Sequence, residues 1–156
     1  MNYIFTQDHF QLCKNITWED VILKIDMDTS LLRNFQNRII MKKISNHFEA
    51  MIAPTMILHS DFYPNSINLA YEEVKKEKDI TVLHVYTSFG KSAITMGRHN
   101  DDDDVLIVQS IGKMKYLFDD NSSVVMNPGD SLYIPKGMYH NPIVIEPRVT
   151  LSFSWE

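Results

Sequence analysis

The glycines constrain this chain more than any other feature. All five (Gly90, Gly97, Gly112, Gly129 and Gly137) lie in the second half of 156 residues, and none precedes residue 90. Glycine supplies tight turns and positive φ angles, so its clustering marks where turns between strands crowd together. From Asp79 onward the chain reads as short β-rich runs: Ile80–Thr87, Ile94–Met96, Val105–Ser110, Lys113–Phe118, Val124–Met126, Ser131–Ile134, Asn141–Ile145 and Arg148–Trp155. Turn residues such as Asp119-Asp120-Asn121 and Asn127-Pro128-Gly129 separate them. Seven or eight short strands at this spacing predict a β-sandwich or a barrel.

The first half reads differently. Thr17-Trp18-Glu19-Asp20 has the form of a capping box opening an apolar-periodic run through Ile25. A second helix is expected from Asn65-Ser66, with Ile67, Ala70, Tyr71 and Val74 on one face and charged residues elsewhere. Between them, Leu31 to His47 fits a helix or a strand pair, and periodicity does not choose. We therefore read 1–156 as a single domain, helical and irregular over 1–78 and a barrel core over 79–156.

Composition removes several classes. With 44% hydrophobic and 22% charged residues, the chain is ordinary globular material. No apolar run approaches the ~20 residues of a membrane span, and the N-terminus lacks the pattern of a secretory signal. A lone cysteine, Cys13, forms no internal disulfide, which points to a cytoplasmic protein. A net charge of −5 argues against a nucleic-acid partner.

Two strings carry chemistry. Gly129-Asp130-Ser131-Leu132-Tyr133-Ile134-Pro135-Lys136-Gly137-Met138-Tyr139-His140 fits G-x5-P-x-G-x2-H at each fixed position. It is a strand between two turns that delivers His140 to the start of the next strand. The other string is His99-Asn100-Asp101. In extended chain, side chains two apart share a face, so an imidazole and a carboxylate point at one ion together. With a histidine from another strand they make the two-His-one-carboxylate triad, which suits non-haem Fe(II) and oxygen. Asp102, Asp103 and Asp104 are read as a solvated acidic loop.

From Gly97 to Trp155 the chain resembles the cupin superfamily, and more narrowly the JmjC-type 2-oxoglutarate oxygenases that include ribosomal-protein and asparaginyl hydroxylases. The resemblance rests on His99-x-Asp101, the strand from Asp104 to Gln109, Gly112 to Tyr116, the block from Pro128 to His140, and the closing strand Leu151 to Trp155. It implies a mainly β double-stranded β-helix, a jelly-roll cupin barrel with N-terminal helices packed on it. It also implies Fe(II) held by His99, Asp101 and His140, with 2-oxoglutarate as cosubstrate and a peptide, protein or small amino-acid-like molecule hydroxylated.

The chain departs from that family at one informative point. Where the family carries a Lys or Arg for the far carboxylate of 2-oxoglutarate, this sequence has Met114. Lys113 and Lys115 flank it, facing the other way unless a bulge at Gly112 shifts the register. The dimerisation and winged-helix regions of ribosomal oxygenases have no counterpart in the sequence. Other 2-oxoglutarate oxygenases use an Arg-x-Ser/Thr pair on the last core strand, and Arg148-Val149-Thr150 matches it. Arg148 is then expected to bind the carboxylate bidentately with the Thr150 hydroxyl as a second donor, Lys115 being the alternative. Two rival functions stay open at this point. One is a metal cupin without 2-oxoglutarate (a dioxygenase, isomerase or lyase), the other a non-catalytic cupin binding protein.

Overall fold

A computed structural model describes residues 2–25, 55–58 and 62–155. The segment Leu31 to His47 lies outside them. The strands are β1 (Ile4–Thr6), β2 (Thr55–Leu58), β3 (Val82–Ser88), β4 (Asp104–Ile111), β5 (Met114–Phe118), β6 (Ser123–Met126), β7 (Ser131–Ile134), β8 (His140–Val144) and β9 (Arg148–Trp155). They form two antiparallel sheets, ordered β1-β7-β4-β9-β3-β2 and β6-β5-β8, as in a jelly-roll barrel.

The capping box forms as expected. Asp20 N donates to Thr17 Oγ1 at 3.2 Å and Thr17 N donates to Asp20 Oδ2 at 2.9 Å, opening a helix over 18–25. Asp20 also accepts from Ser66 Oγ at 2.8 Å, tying this turn to the helix Asn65–Lys75. That second helix buries Ile67, Ala70 and Val74 as its spacing predicts.

The two faces of the larger sheet have different jobs. Leu106, Val108, Leu151 and Phe153 pack outward against Phe10, Cys13, Val21 and the buried face of the helix. Val105, Ile107, Leu132 and Ile134 point inward and meet Met114, Tyr116, Phe118 and Met126 of the smaller sheet. A sheet covered on both sides explains why β4 is buried along nearly its whole length, with apolar residues on both faces.

Two expectations are corrected, and the register of β5 stays as alternation predicts. Ile94–Met96 is not a strand: Ile94 makes only an isolated bridge and the chain runs irregularly to His99. β1 and β2 are strands that β-propensity did not single out, each held at an edge by pairing with β7 and β3. The register irregularity falls between Gln109 and Ile111 of β4, ahead of Gly112, so it does not turn β5 over.

Candidate metal and anion site

His99 and His140 are joined by the backbone. They form an isolated antiparallel bridge in which His99 N donates to His140 O at 2.9 Å and His140 N to His99 O at 2.8 Å. Asp101 is held by the turn that precedes His140, because Gly137 N donates to Asp101 O at 2.9 Å. Gly137 sits at φ +76°, the left-handed conformation that glycine adopts without strain. The G-x5-P-x-G-x2-H spacing therefore positions His140 and pins the neighbouring H-x-D segment as well.

The side chains converge. One ligand atom from each of His99, Asp101 and His140 lies within 4.8 Å of the others. His99 Nε2 is 3.9 Å from Asp101 Oδ1, and His140 Nε2 is 3.6 Å from Asp101 Oδ2. Each imidazole places Nδ1 against a main-chain carbonyl, His99 against Gly97 O at 2.8 Å and His140 against Met138 O at 3.1 Å. A carbonyl only accepts, so the proton sits on Nδ1 and the Nε2 lone pair faces the centre. Burial holds His140 below the usual imidazole range, with the neighbouring His99 acting in the same direction. Neutral imidazoles and a carboxylate on one side, with the other side open to a cavity, fit a divalent metal of the Fe(II) type.

That cavity, of about 230 Å³, lies between the sheets and is lined by the three residues together with Tyr86, Tyr116, Ile107, Pro142, Arg148 and Thr150. Strand alternation explains the β9 contribution. Arg148, Thr150 and Ser152 line the cavity, while Val149, Leu151 and Phe153 belong to the core on the other face. At the mouth, Ile57, Ile94 and Met96 line the cavity while remaining exposed.

Arg148 is 3% exposed, yet no carboxylate lies within ion-pair distance among the described residues. Its Nε donates to Ser88 Oγ at 3.0 Å, and Ser88 Oγ lies 2.8 Å from Thr55 Oγ1. The terminal nitrogens are left for a ligand. Burial pulls its pKa below the ordinary arginine value, but a guanidinium stays charged in proteins. A buried cation without a counter-ion is costly unless an anion joins it, so the residues present fit a carboxylate ligand.

The remaining anchor candidates behave differently. Thr150 lines the cavity, but its proton is committed. Gln109 Nε2 donates to Ile111 O at 2.7 Å, which turns Oε1 toward Thr150, whose Oγ1 donates to it at 2.9 Å. Lys115 is opposite Val125 and Ile143, both exposed, on the outer face of β5, and is not among the cavity residues. Lys113 pairs with Glu146 at 3.4 Å, and Met114 is fully buried in the inter-sheet core. Arg98, beside the first histidine, is not among the cavity residues. It grips Asp119 through two hydrogen bonds of 2.8 and 2.6 Å and stacks on Tyr139.

Residues that sequence reasoning passed over include Ser88 and Thr55, which hold Arg148, and Ile57 at the mouth. Tyr86 and Tyr116 also line the cavity. Tyr86 is directly opposite Thr150 and Ser88 opposite Arg148, a register that becomes visible only once β3 is paired with β9.

Comparison with known proteins places this barrel. Residues 113–156 match the family model of the JmjC domain, a span that holds His140, Arg148 and Thr150 and leaves His99 and Asp101 outside. A probable ribosomal oxygenase of Haemophilus influenzae is 29% identical over a match covering 44% of this chain and 23% of the relative. The Escherichia coli ribosomal oxygenase YcfD superposes with a TM-score of 0.55 at 21% identity, covering 65% of this chain and 31% of that one. YcfD is also known in complex with cobalt and 2-oxoglutarate, a structure matched with a TM-score of 0.47 at 24% identity over 58% of this chain and 27% of that one. A cupin superfamily protein of Desulfitobacterium hafniense is similar at a TM-score of 0.47 and 13% identity, over 64% of this chain and 75% of the other. The chain thus spans about a quarter to a third of the ribosomal oxygenases it matches.

Proposed function

With a JmjC-type cupin barrel as the premise, we propose that this chain is a non-haem Fe(II)- and 2-oxoglutarate-dependent oxygenase that hydroxylates a peptide or protein side chain. One observation carries the reading. The His99, Asp101 and His140 group and an unneutralised buried arginine, Arg148, line the same cavity. A metal needs the first and a dicarboxylate cosubstrate needs the second. Bound Fe(II) with 2-oxoglutarate supplies oxygen activation and oxidation of a substrate C–H bond.

The chain's own residues do the rest. His99, Asp101 and His140 hold one face of the ion, and the Nδ1 contacts to Gly97 and Met138 keep both imidazoles aimed at it. Arg148 holds the far carboxylate of the cosubstrate, taking over the task that Met114 cannot perform. Ile107 and Pro142 line the interior with apolar surface and exclude water. The exposed apolar mouth of Ile57, Ile94 and Met96 receives the side chain to be oxidised. The ribosomal oxygenases among the relatives favour a protein substrate.

Met114 favours a second reading, a metal cupin that binds its substrate directly and uses no 2-oxoglutarate. The two separate by anaerobic titration of the Fe(II)-loaded protein with 2-oxoglutarate, followed by the visible metal-to-ligand band. The oxygenase reading expects the band in the wild type and its loss in Arg148→Ala. A protein that holds iron and develops no band supports the second reading.

A further inference from the structure

The row that carries the two histidines has an outward face as well. His99 is bridged to His140, and His140 lies opposite Phe118 of β5. In a pleated sheet the flanking residues point the other way. Arg98, Tyr139 and Asp119 each adjoin one member of that row, and all three are exposed. They form one cluster. Arg98 Nε and Nη2 donate to the two carboxylate oxygens of Asp119 at 2.8 and 2.6 Å, and the guanidinium carbon lies 4.0 Å from the Tyr139 ring centroid. A fork on both carboxylate oxygens is the strong form of an arginine pair, and the stacked ring fixes its plane. Asp119 itself opens a closed hairpin turn, in which Asn121 N donates to Phe118 O and Phe118 N to Ser122 O, each at 3.0 Å. The segment carrying His99 and Asp101 is otherwise tied to β8 and the turn before it: Thr95 Oγ1 donates to Pro142 O at 2.8 Å, and Gly137 N to Asp101 O at 2.9 Å. Among the described residues, Arg98 alone hydrogen-bonds the stretch from Thr95 to Asp101 to a third piece of chain, the turn between β5 and β6.

We infer that Arg98 is a positioning residue for the metal site: gripped by Asp119 and stacked on Tyr139, it latches the His99 segment to the smaller sheet from outside the barrel. The metal rests on the function proposed above; the latch does not, because its contacts need no ion. Inside the barrel, the Nδ1 contacts aim each imidazole. Outside it, Arg98 sets the spacing between the two pieces of chain that carry them, which two backbone hydrogen bonds otherwise hold alone. The Arg98 guanidinium keeps the Asp119 carboxyl below the usual carboxylate range, so the pair is ionised at neutral pH. An exposed pair adds little to global stability, so the effect of the latch is local.

Two readouts test it on the full chain: Co(II) absorption titration, and hydrogen–deuterium exchange of the metal-free protein. Wild type, Arg98→Ala, Asp119→Ala, the double variant, Tyr139→Leu and Tyr139→Phe are compared, with urea unfolding as the control for global stability. Arg98→Ala and Asp119→Ala are each expected to weaken Co(II) about tenfold, the usual effect of disturbing a group that orients a ligand. The double variant loses no more than either single one, because the pair acts as a unit. Tyr139→Phe keeps the stacking ring and binds like the wild type, whereas Tyr139→Leu weakens Co(II). In the weakened variants the His99 and His140 amides exchange faster while the urea midpoint stays in place. Wild-type Co(II) affinity and amide exchange in Arg98→Ala, losses that add in the double variant, or a fall in global stability that accounts for the lost affinity each overturn the latch. A wild type that binds no Co(II), with faster exchange in the variants, removes the metal and leaves the latch standing. Co(II) binding that none of the variants weakens does the reverse.

Discussion

His99 and His140 face each other across the barrel wall as a reciprocal backbone pair, each donating its N–H to the other's carbonyl at 2.9 and 2.8 Å. The two imidazoles are therefore set by main chain, with ring centroids 4.4 Å apart, and are not left to side-chain packing. Asp101 joins them through the hydrogen bond from Gly137. A site built this way is preorganised before any ion arrives.

Asp101→Ala removes the one anionic ligand from that set while leaving both backbone bonds to hold the histidines. Metal binding, followed by Co(II) absorption titration, is expected to fall to background with the fold intact by circular dichroism. Full stoichiometry in the variant would sink the assignment.

Arg148 sets stability against function. Arg148 is 3% exposed and has no carboxylate partner among the described residues, so an apolar residue of similar length relieves a buried charge. Arg148→Met is expected to leave the ligand-free protein equally stable or more stable by about 1–2 kcal/mol in urea unfolding. The same variant loses stabilisation by 2-oxoglutarate. A ligand-free variant destabilised by several kcal/mol would mean that Arg148 works chiefly through its bond to Ser88.

Two glycines with similar backbone angles should respond differently. A Cβ on Gly112, at φ +72°, meets Pro147 O at 1.9 Å, whereas one on Gly137, at φ +76°, meets nothing within 4 Å. Gly137→Ala carries only the backbone penalty, about 1 kcal/mol, and Gly112→Ala adds a clash with main chain for about 3 kcal/mol or more. Chemical denaturation of the two variants side by side decides this, and equal losses would contradict the close approach.

Cys13 gives a pH dependence with a definite sign. Burial pushes its thiol from 9.0 up to about 11, so the folded state holds its proton more tightly than the unfolded chain. The stability this contributes is complete below about pH 9 and is lost as pH rises from 9 to 11. Urea unfolding across that range should decline more steeply in the wild type than in Cys13→Ala. Alkylation at pH 8 should be slow until the protein unfolds.

Some of this was legible early for simple physical reasons. The capping box at Thr17 and Asp20, the helix from Asn65 and the β9 alternation are local patterns, and local geometry suffices to read them. The two metal-site strings were readable too, because a turn between Pro135 and Gly137 delivers His140 whatever surrounds it. Neither β1 nor β2 announced itself, since a short edge strand is defined by the strand it pairs with. Lys115 was misplaced for a related cause: β5 keeps its odd-numbered residues outward, and the register irregularity lies upstream in β4.

Strand punctuation, the choice of His99, Asp101 and His140, and the shared face of Arg148 and Thr150 follow from local sequence, because side-chain periodicity and turn chemistry act within a few residues. Strand pairing and sheet packing turn this face into the cavity and not toward the helix. Tertiary structure also set Ser88 behind Arg148, closed Thr150 onto Gln109 and brought Tyr86 and Tyr116 together from different sheets. Those outcomes depend on pairing between residues far apart in the chain, 60 positions for Arg148 and Ser88. No local pattern encodes which donor a folded neighbour will have satisfied.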